Sequence, residues 1–532
     1  MFSWCPPIAH RPFCLAQVIS GSREIAPVPW MGLENPGAWM PDRTSRLLCA
    51  TSALLLSSAA LAEDPPPPPP PGFETAGAAG QNQPDAYSGS QNFADPSQLF
   101  TGTPGAFVGM GYGKIDGDTY VTTVINTEFA LGPFAVGLGL PLNLLAINDD
   151  STGTRESKTY GDILRRGDWN QPDDYLKLVR FVRYGHKRDP LYLLAGQLWG
   201  SSLGHGTLVN RYSNSFSLDQ RKFGMAFDFN SEYFGVETLI DDVTGASLVG
   251  GRAYVRPFAE VEGLGGLAFG VTLVVDPTAP LLPFAAVPAI PSDSNGLPLV
   301  PTRAFAAAGV DVEYELVHNF LIDLIPYVDG NRLFGAGNGL HVGALMNVRL
   351  PVPIIDVSLQ TRLEYRHMQP GYIPEYFDQT YDLGRLQYAV TVPGAGFSSK
   401  QTAAFDAKAA GGPAVKGYYG ELAFNFAGLI QIGGLLQDYE QDNGASLGLF
   451  ATVPKFETVK LSAYYLRKNF GELSNAFVLD ERSLLAASAA LKMYGPVYLV
   501  ADFRRQWTFD PVGQRVVSVD TYRSGIAVNL TF

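Results

Sequence analysis

The sequence predicts an all-β chain: a single large antiparallel transmembrane β-barrel of about 20 strands, with 18 as the alternative count, short periplasmic turns and long extracellular loops. Three observations predict it. Apolar and polar residues alternate by twos along one segment after another. Short and long connections alternate between those segments. The chain ends, without a polar tail, on a strand with one apolar face.

The front of the chain reads separately from the barrel. Residues 1–39 are irregular, and Met40 opens "MPDRTSRLLCATSALLLSSAALAED". Arg43 and Arg46 form a short basic region, residues 47–61 an uncharged apolar run, and Ala60-Leu61-Ala62 a small-x-small cleavage site before Glu63. Residues 40–62 thus have the layout of a secretory signal peptide. The apolar run is shorter than the ~20 residues a spanning helix needs. Residues 1–39 are accordingly expected to be a mis-annotated N-terminal extension. Cys5, Cys14 and Cys49 all precede Ala62, so the exported chain would contain no cysteine. That excludes a disulfide scaffold and a cysteine-ligated zinc or iron–sulfur site. Pro65 to Pro71 favour an extended polyproline rod, and the stretch that follows is poor in apolar residues. Residues 63–103 read as a Pro-rich flexible periplasmic tether, with a docking peptide as the alternative.

Residues 104–532 are expected to form the barrel. In "IIDVSLQTRLEYRH", Ile355, Val357, Leu359, Thr361, Leu363 and Tyr365 share one face. Asp356, Ser358, Gln360, Arg362, Glu364 and Arg366 share the other. A helix would scatter those charges around its circumference. Val310, Val312, Tyr314 and Leu316 likewise oppose Asp311, Glu313 and Glu315. Phe223, Met225, Phe227 and Phe229 oppose Gly224, Ala226, Asp228 and Asn230, and Leu340, Val342, Ala344, Met346 and Val348 oppose His341, Gly343, Leu345, Asn347 and Arg349. The 57 Gly, 32 Phe, 25 Tyr and 6 Trp suit a strand-built wall with aromatic belts. Short connections fall at 131–133, 186–189, 230–232, 317–319, 351–353, 426–428 and 494–496. Longer ones fall at 145–173, 200–220, 277–302, 328–338, 368–415 and 468–481. A soluble sandwich has no reason to sort its connections in that way. An even strand count returns the terminus to the periplasmic side.

The last residues, "SGIAVNLTF", carry a resemblance. Phe532, Leu530, Val528 and Ile526 occupy alternate positions to the end of the chain. This looks like the terminal strand of Gram-negative outer-membrane β-barrel proteins, porin-like in character, with no specific family identified. Ser524 departs from the pattern and Tyr522 resumes it. The resemblance implies that these four residues are an assembly signal read by the barrel assembly machinery. It also implies a cell outer-membrane location, with membrane lipid and lipopolysaccharide around the wall and homo-oligomerisation left open.

The inward faces carry both signs of charge, making Asp311, Glu313, Glu315, Arg349, Asp356, Arg362, Glu364 and Arg366 the candidate lumen-lining residues. Rings of such side chains set the width and ion preference of a pore. The competing reading pairs them across strands, where they hold the wall together. About twenty strands enclose more space than wall side chains can fill. Residues 368–415 are the candidate constriction loop, with an extracellular flap as the alternative. Four function classes remain to be weighed. A passive porin-like channel for small polar solutes is the expected one, and a sealed surface adhesion or structural protein displaying its loops is the alternative. A gated receptor would need a folded plug ahead of the barrel, which residues 63–103 do not supply. An enzyme is not expected: no HExxH or P-loop motif occurs, and His205 in "SSLGHGTLVNRYSN" reads as an outer-loop histidine among ordinary loop serines. No catalytic, metal or cofactor residue is assigned. Loss of residues 1–62 would leave 34 basic and 48 acidic side chains, a balance of −14 that argues against a nucleic-acid partner.

Overall fold

Strict alternation gives every segment one apolar and one polar face, and closing the sheet leaves no edge of unpaired N–H and C=O groups. The computed structural model of the chain describes residues 99 and 105–531, apart from 116–117, 150–152, 188, 216–221, 283–299, 353–354, 390–396, 441–443, 454–455 and 511–514. The expected extension and signal peptide lie outside the described residues, as do Phe532 and all of the expected tether except Leu99, which is buried with Phe107, Tyr498 and Val500. Among the described residues no helix is long and apolar enough to cross a membrane, which says nothing of strands.

Twenty strands form the wall. The first ten are β1 (Gly105–Ile115), β2 (Asp118–Leu131), β3 (Phe134–Ile147), β4 (Val179–Tyr184), β5 (Leu191–Gly196), β6 (Gly224–Asn230), β7 (Phe234–Ile240), β8 (Val249–Val255), β9 (Leu267–Asp276) and β10 (Phe305–Tyr314). The second ten are β11 (Ile322–Leu333), β12 (Asn338–Val352), β13 (Ile355–Met368), β14 (Val415–Phe426), β15 (Ile430–Tyr439), β16 (Ala445–Val453), β17 (Val459–Phe470), β18 (Ser483–Tyr494), β19 (Val497–Asp510) and β20 (Arg515–Thr531). Each pairs antiparallel with the next. β20 then pairs back onto β1, with Val528 opposite Val108 and Ile526 opposite Met110, so the barrel is closed.

Burial follows the predicted faces. Val310, Val312, Leu363, Tyr365, Ile526 and Leu530 are exposed on the outside, while Asp311, Arg362, Glu364, Arg366 and Ala527 are buried. Exposed large apolar side chains and buried charges invert the pattern of a soluble protein and fit a wall whose outer medium is lipid.

The connections sort by end. Those at 132–133, 231–233, 427–429 and 495–496 share one end, and those at 148–178, 197–223, 277–304 and 369–414 share the other. Two expectations need correction. The segment 328–338 is not a long loop: β11 runs to Leu333 and only 334–337 connect it to β12. Its Asp329 and Asn331 resemble turn residues but are buried on the inward face, where polar side chains belong. The short-turn end also carries one longer connection, 256–266.

β4 to β8 are shorter than the expected ~9 to 11 residues, at six or seven each. β5 stops at Gly196, whose φ of +118° turns the backbone out of the wall. A Cβ there would lie 2.4 Å from the Arg180 carbonyl oxygen. From that point the chain enters the barrel. Leu198, Leu203, Leu208, Val209 and Tyr212 of 197–223 pack with Tyr372, Tyr376, Phe377 and Tyr381 of 369–414 and with Leu239, Val274, Phe305 and Leu333 of the wall. The interior is therefore a packed core over part of its cross-section.

Candidate functional site

The first inward loop, residues 197–223, is buried without a break from Ser202 to Ser215. Its tip, Leu203-Gly204-His205-Gly206-Thr207, is pinned to three strands. The Gly204 amide donates to Glu237 of β7 at 2.8 Å. His205 Nε2 lies 2.7 Å from Glu313 of β10, and Thr207 donates to Asp329 of β11 at 2.6 Å. The His205 ring stacks on Tyr327 at 4.0 Å. Gly204 and Gly206 take φ values of +55° and +77°, which lets the backbone lie flat against Arg252 and Asn210. Burial alone would lower the His205 pKa, but the flanking Asp329 and Glu313 carboxylates outweigh it and hold the pKa raised to about 9.

His205, Asp311 and Glu313 bring ligand-type atoms within 4.8 Å of one another. Arg252 of β8 already occupies the cation position among them. It donates to Asp311 at 3.0 and 2.5 Å and to Glu313 at 3.4 Å. The set reads as an ion-paired anchor, in which each buried charge has a partner. The outer-loop placement expected for His205 is thereby corrected. Its Nε2 faces Glu313 and its Nδ1 lies 3.6 Å from Asp329, so carboxylates flank both ring nitrogens.

The second inward loop, residues 369–414, docks on the first. Phe377–Asp378 pairs in parallel with Val209–Asn210, and the amides of Glu375 and Phe377 donate to the Thr207 and Leu208 carbonyls at 2.9 and 3.0 Å. Tyr376 stacks on Phe305 at 4.4 Å. The loop ends in helix α1 (Lys400–Ala410), whose N-cap hydroxyl, on Ser399, accepts from the Thr402 amide. One face of α1 is buried through Ala404, while residues 406–410 are exposed.

Behind this loop lies a charged cluster on β13. Glu364 accepts from Arg362 at 2.7 Å and from Arg366 at 2.6 Å, and lies 3.0 Å from His341 Nδ1. His341 Nε2 lies 2.8 Å from the Tyr372 hydroxyl, and Arg366 donates to Glu375 at 2.9 Å. The wall therefore holds the second loop through Tyr372 and Glu375. Both guanidiniums face the Tyr419 ring, at 4.9 and 4.1 Å.

Between the two loops and β14 to β17 is a cavity of about 500 Å³. Arg211, Glu375, Asp378, Lys400 and Lys468 line it, with Gln379, Gln437, Ser446, Tyr388 and Tyr439. Its rim at Ala407, Gly411 and Gly412 is exposed. Arg211 and Glu375 both hold the left-handed conformation, with φ values of +51° and +50°. Strain of that kind costs about 1 kcal/mol or more and persists where surrounding contacts fix it. Here the contacts are Arg211 with Glu421 and Glu375 with Arg366. Asp378 Oδ2 accepts from both Lys400 and Lys468, at 2.9 and 2.8 Å. Burial alone would raise the Asp378 pKa, but these two ammoniums hold it well below the usual carboxylate range. Burial pushes Lys400 down to about 8 despite Asp378.

The predicted lumen residues divide. Asp311, Arg362, Glu364 and Arg366 are buried on the inner wall, and Glu313 is half-buried there. All five are ion-paired. Arg349 lies toward the short-turn end, donating to the Asn319 carbonyl at 3.2 Å and to Asp323. Glu315 does not line the lumen: it is exposed just past the end of β10, 3.1 Å from His318. The Asp356 side chain lies outside the described residues. The cavity residues Arg211, Glu375, Asp378, Lys400 and Lys468 were absent from the sequence prediction. The apolar content of both loops is the signal that could have found them, since Leu203, Leu208, Val209, Tyr376 and Phe377 have no reason to project into water.

No known protein-family profile matches this chain, and no curated protein does. Among solved structures it is similar to a BenF-like porin from Pseudomonas fluorescens Pf-5, at 11% identity and TM-score 0.33, covering 81% of this chain and 99% of that one. It is similar to Pseudomonas aeruginosa OccK2, solved with glucuronate, at 11% identity and TM-score 0.32, covering 83% and 100%. It is also similar to Escherichia coli Wzi, described as a carbohydrate-binding β-barrel of capsule assembly, at 10% identity and TM-score 0.30, covering 81% and 85%. The barrel of the present chain stands on its own strand pairing, and no activity is carried over from these structures.

Proposed function

We propose that the chain is an exported outer-membrane channel for small polar solutes, narrowed from within by its two inward loops. The cavity of about 500 Å³, charged and open at its rim inside a closed barrel, carries this reading. A wall with exposed Leu363 and Tyr365 outside and buried Arg362, Glu364 and Arg366 inside suits lipid on one side and polar solute on the other. Opposed rows of fixed charge in a narrowed lumen favour solutes that can exchange hydration for hydrogen bonds. Residues 40–62 would direct export and be removed, and the terminal strand would engage the assembly machinery. The reading assigns the chain no catalytic step.

Proteoliposome swelling tests it. Vesicles carrying the folded protein should swell in monosaccharides and resist trisaccharides, which exceed the cavity. A second reading, a sealed barrel displaying its loops, is favoured by the apolar core that crosses the lumen from Leu198 to Tyr381. It predicts no swelling in any solute.

A further inference from the structure

The lysine pair at the inner end of the cavity is unusual in its charge balance. Two ammoniums share one oxygen of Asp378. Lys400 is fixed: it is buried and stands 5.1 to 5.7 Å from the Tyr376, Tyr381 and Tyr388 ring centroids. Lys468 reaches the same carboxylate from β17 and donates to Thr380, yet its side chain keeps 28% exposure to the cavity. The other acid lining the space, Glu375, is engaged by Arg366 at 2.9 Å and Arg362 at 3.4 Å, and the third cation, Arg211, by Glu421. Asp378 therefore faces two cations alone. An ammonium in a partly desolvated site with half a counter-charge is costly, and an incoming anion relieves that cost.

We propose that this cavity is a binding site for a small, singly charged organic anion, a polar carboxylate whose charge docks on Lys468 beside Asp378. The inference rests on the channel reading and names its substrate class. The volume falls within the range of small-molecule sites, and Gln379, Gln437 and Ser446 around the lysine pair offer hydrogen bonds to hydroxyl groups on such a molecule. A neutral polyol of the same size would keep those hydrogen bonds and lose the charge. A dianion would have only one cation not otherwise neutralised.

The experiment compares gluconate with sorbitol, a six-carbon pair that differs in charge, using the whole folded protein. Binding is read by calorimetry in detergent and by block of single-channel current. Gluconate should bind at least about tenfold more tightly than sorbitol, the discrimination expected of a charge-assisted contact. Lys468→Gln should remove most of that difference, and Lys468→Arg should keep it. Lys468 is half-exposed at a strand end, and heat-modifiable migration verifies that each variant is folded. Equal binding of the two probes, or gluconate binding untouched by Lys468→Gln, would overturn the proposal. Conductance without gluconate discrimination would sink this inference and leave the channel standing. Gluconate binding without conductance would do the reverse.

Discussion

The tip of the first loop is buried from Ser202 to Ser215, whereas α1 of the second loop is exposed from residue 406 to 410. Both loops enter the same barrel and share backbone hydrogen bonds. The first meets β7, β10 and β11 with one contact per polar group: Glu237 for the Gly204 amide, Glu313 for His205, Asp329 for Thr207. The second is held on the wall side by Tyr372, Glu375 and the Tyr381 contact to Asp276, and on the cavity side Asp378 serves two lysines with one carboxylate. The difference separates scaffold from site. Where every charge is matched, nothing remains for a ligand to do. Where one acid serves two lysines beside open space, ligand chemistry remains.

The largest effects should come from removing each loop in turn. Replacing residues 381–410 with a short Gly/Ser linker should leave a folded barrel with several-fold higher conductance, because the first loop keeps its anchors. Replacing residues 203–207 in the same way should reduce the yield of heat-modifiable, folded barrel, since Glu313, Asp329 and Glu237 would lose their partners inside the lumen. Equal outcomes for the two replacements would erase the distinction.

Single charges come next. Glu364→Gln leaves Arg362 and Arg366 buried side by side with Glu375 as their remaining shared acid and should cost about 3 kcal/mol in urea unfolding. Lys408→Gln, on the exposed face of α1, should change stability by no more than ~0.5 kcal/mol.

The anchors should also differ in their response to pH. The His205 pKa, about 9, lies above the ordinary 6.5, so its contribution is complete below pH 6.5 and is lost as pH rises through 9. Open-channel noise should therefore grow between pH 8 and 10 as the first loop loosens. His205→Gln should make the noise independent of pH over that window.

Two glycines test the backbone. Gly411 has φ +69° and ψ −157°, a region essentially confined to glycine, with open space around its Cβ position, so Gly411→Ala should cost about 1–3 kcal/mol of backbone strain alone. Gly204→Ala adds a contact of 2.8 Å with the Arg252 side chain and should cost more. Thermal unfolding of the two variants gives the order.

The wall was legible in the sequence because lipid imposes alternation on every strand. Val310 against Asp311 and Leu363 against Glu364 had no other reading as strands. The terminal strand was legible for the same reason, through Ile526, Val528 and Leu530. The interior was harder to read. Asp329 and Asn331 look like turn residues, and only their register on β11 shows that they belong to the inner face. Loop 197–223 looked extracellular because its Ser, Gly and Asn content is that of any loop. Its Leu203, Leu208 and Val209 were the contrary signal. Loop 369–414 stood out as the longest of the long connections. Its lysine pair could not be foreseen, since Asp378 and Lys468 lie 90 positions apart in sequence and meet only when the loop enters the barrel.

Solute is expected to pass beside a fixed first loop through a space bounded by the second. Single-channel recording of the refolded chain from Glu63 onward, in a planar bilayer, tests it most directly. Stepwise, ohmic currents should appear and should grow when residues 381–410 are shortened. Folded, heat-modifiable barrels that give no steps, with or without those residues, would contradict it.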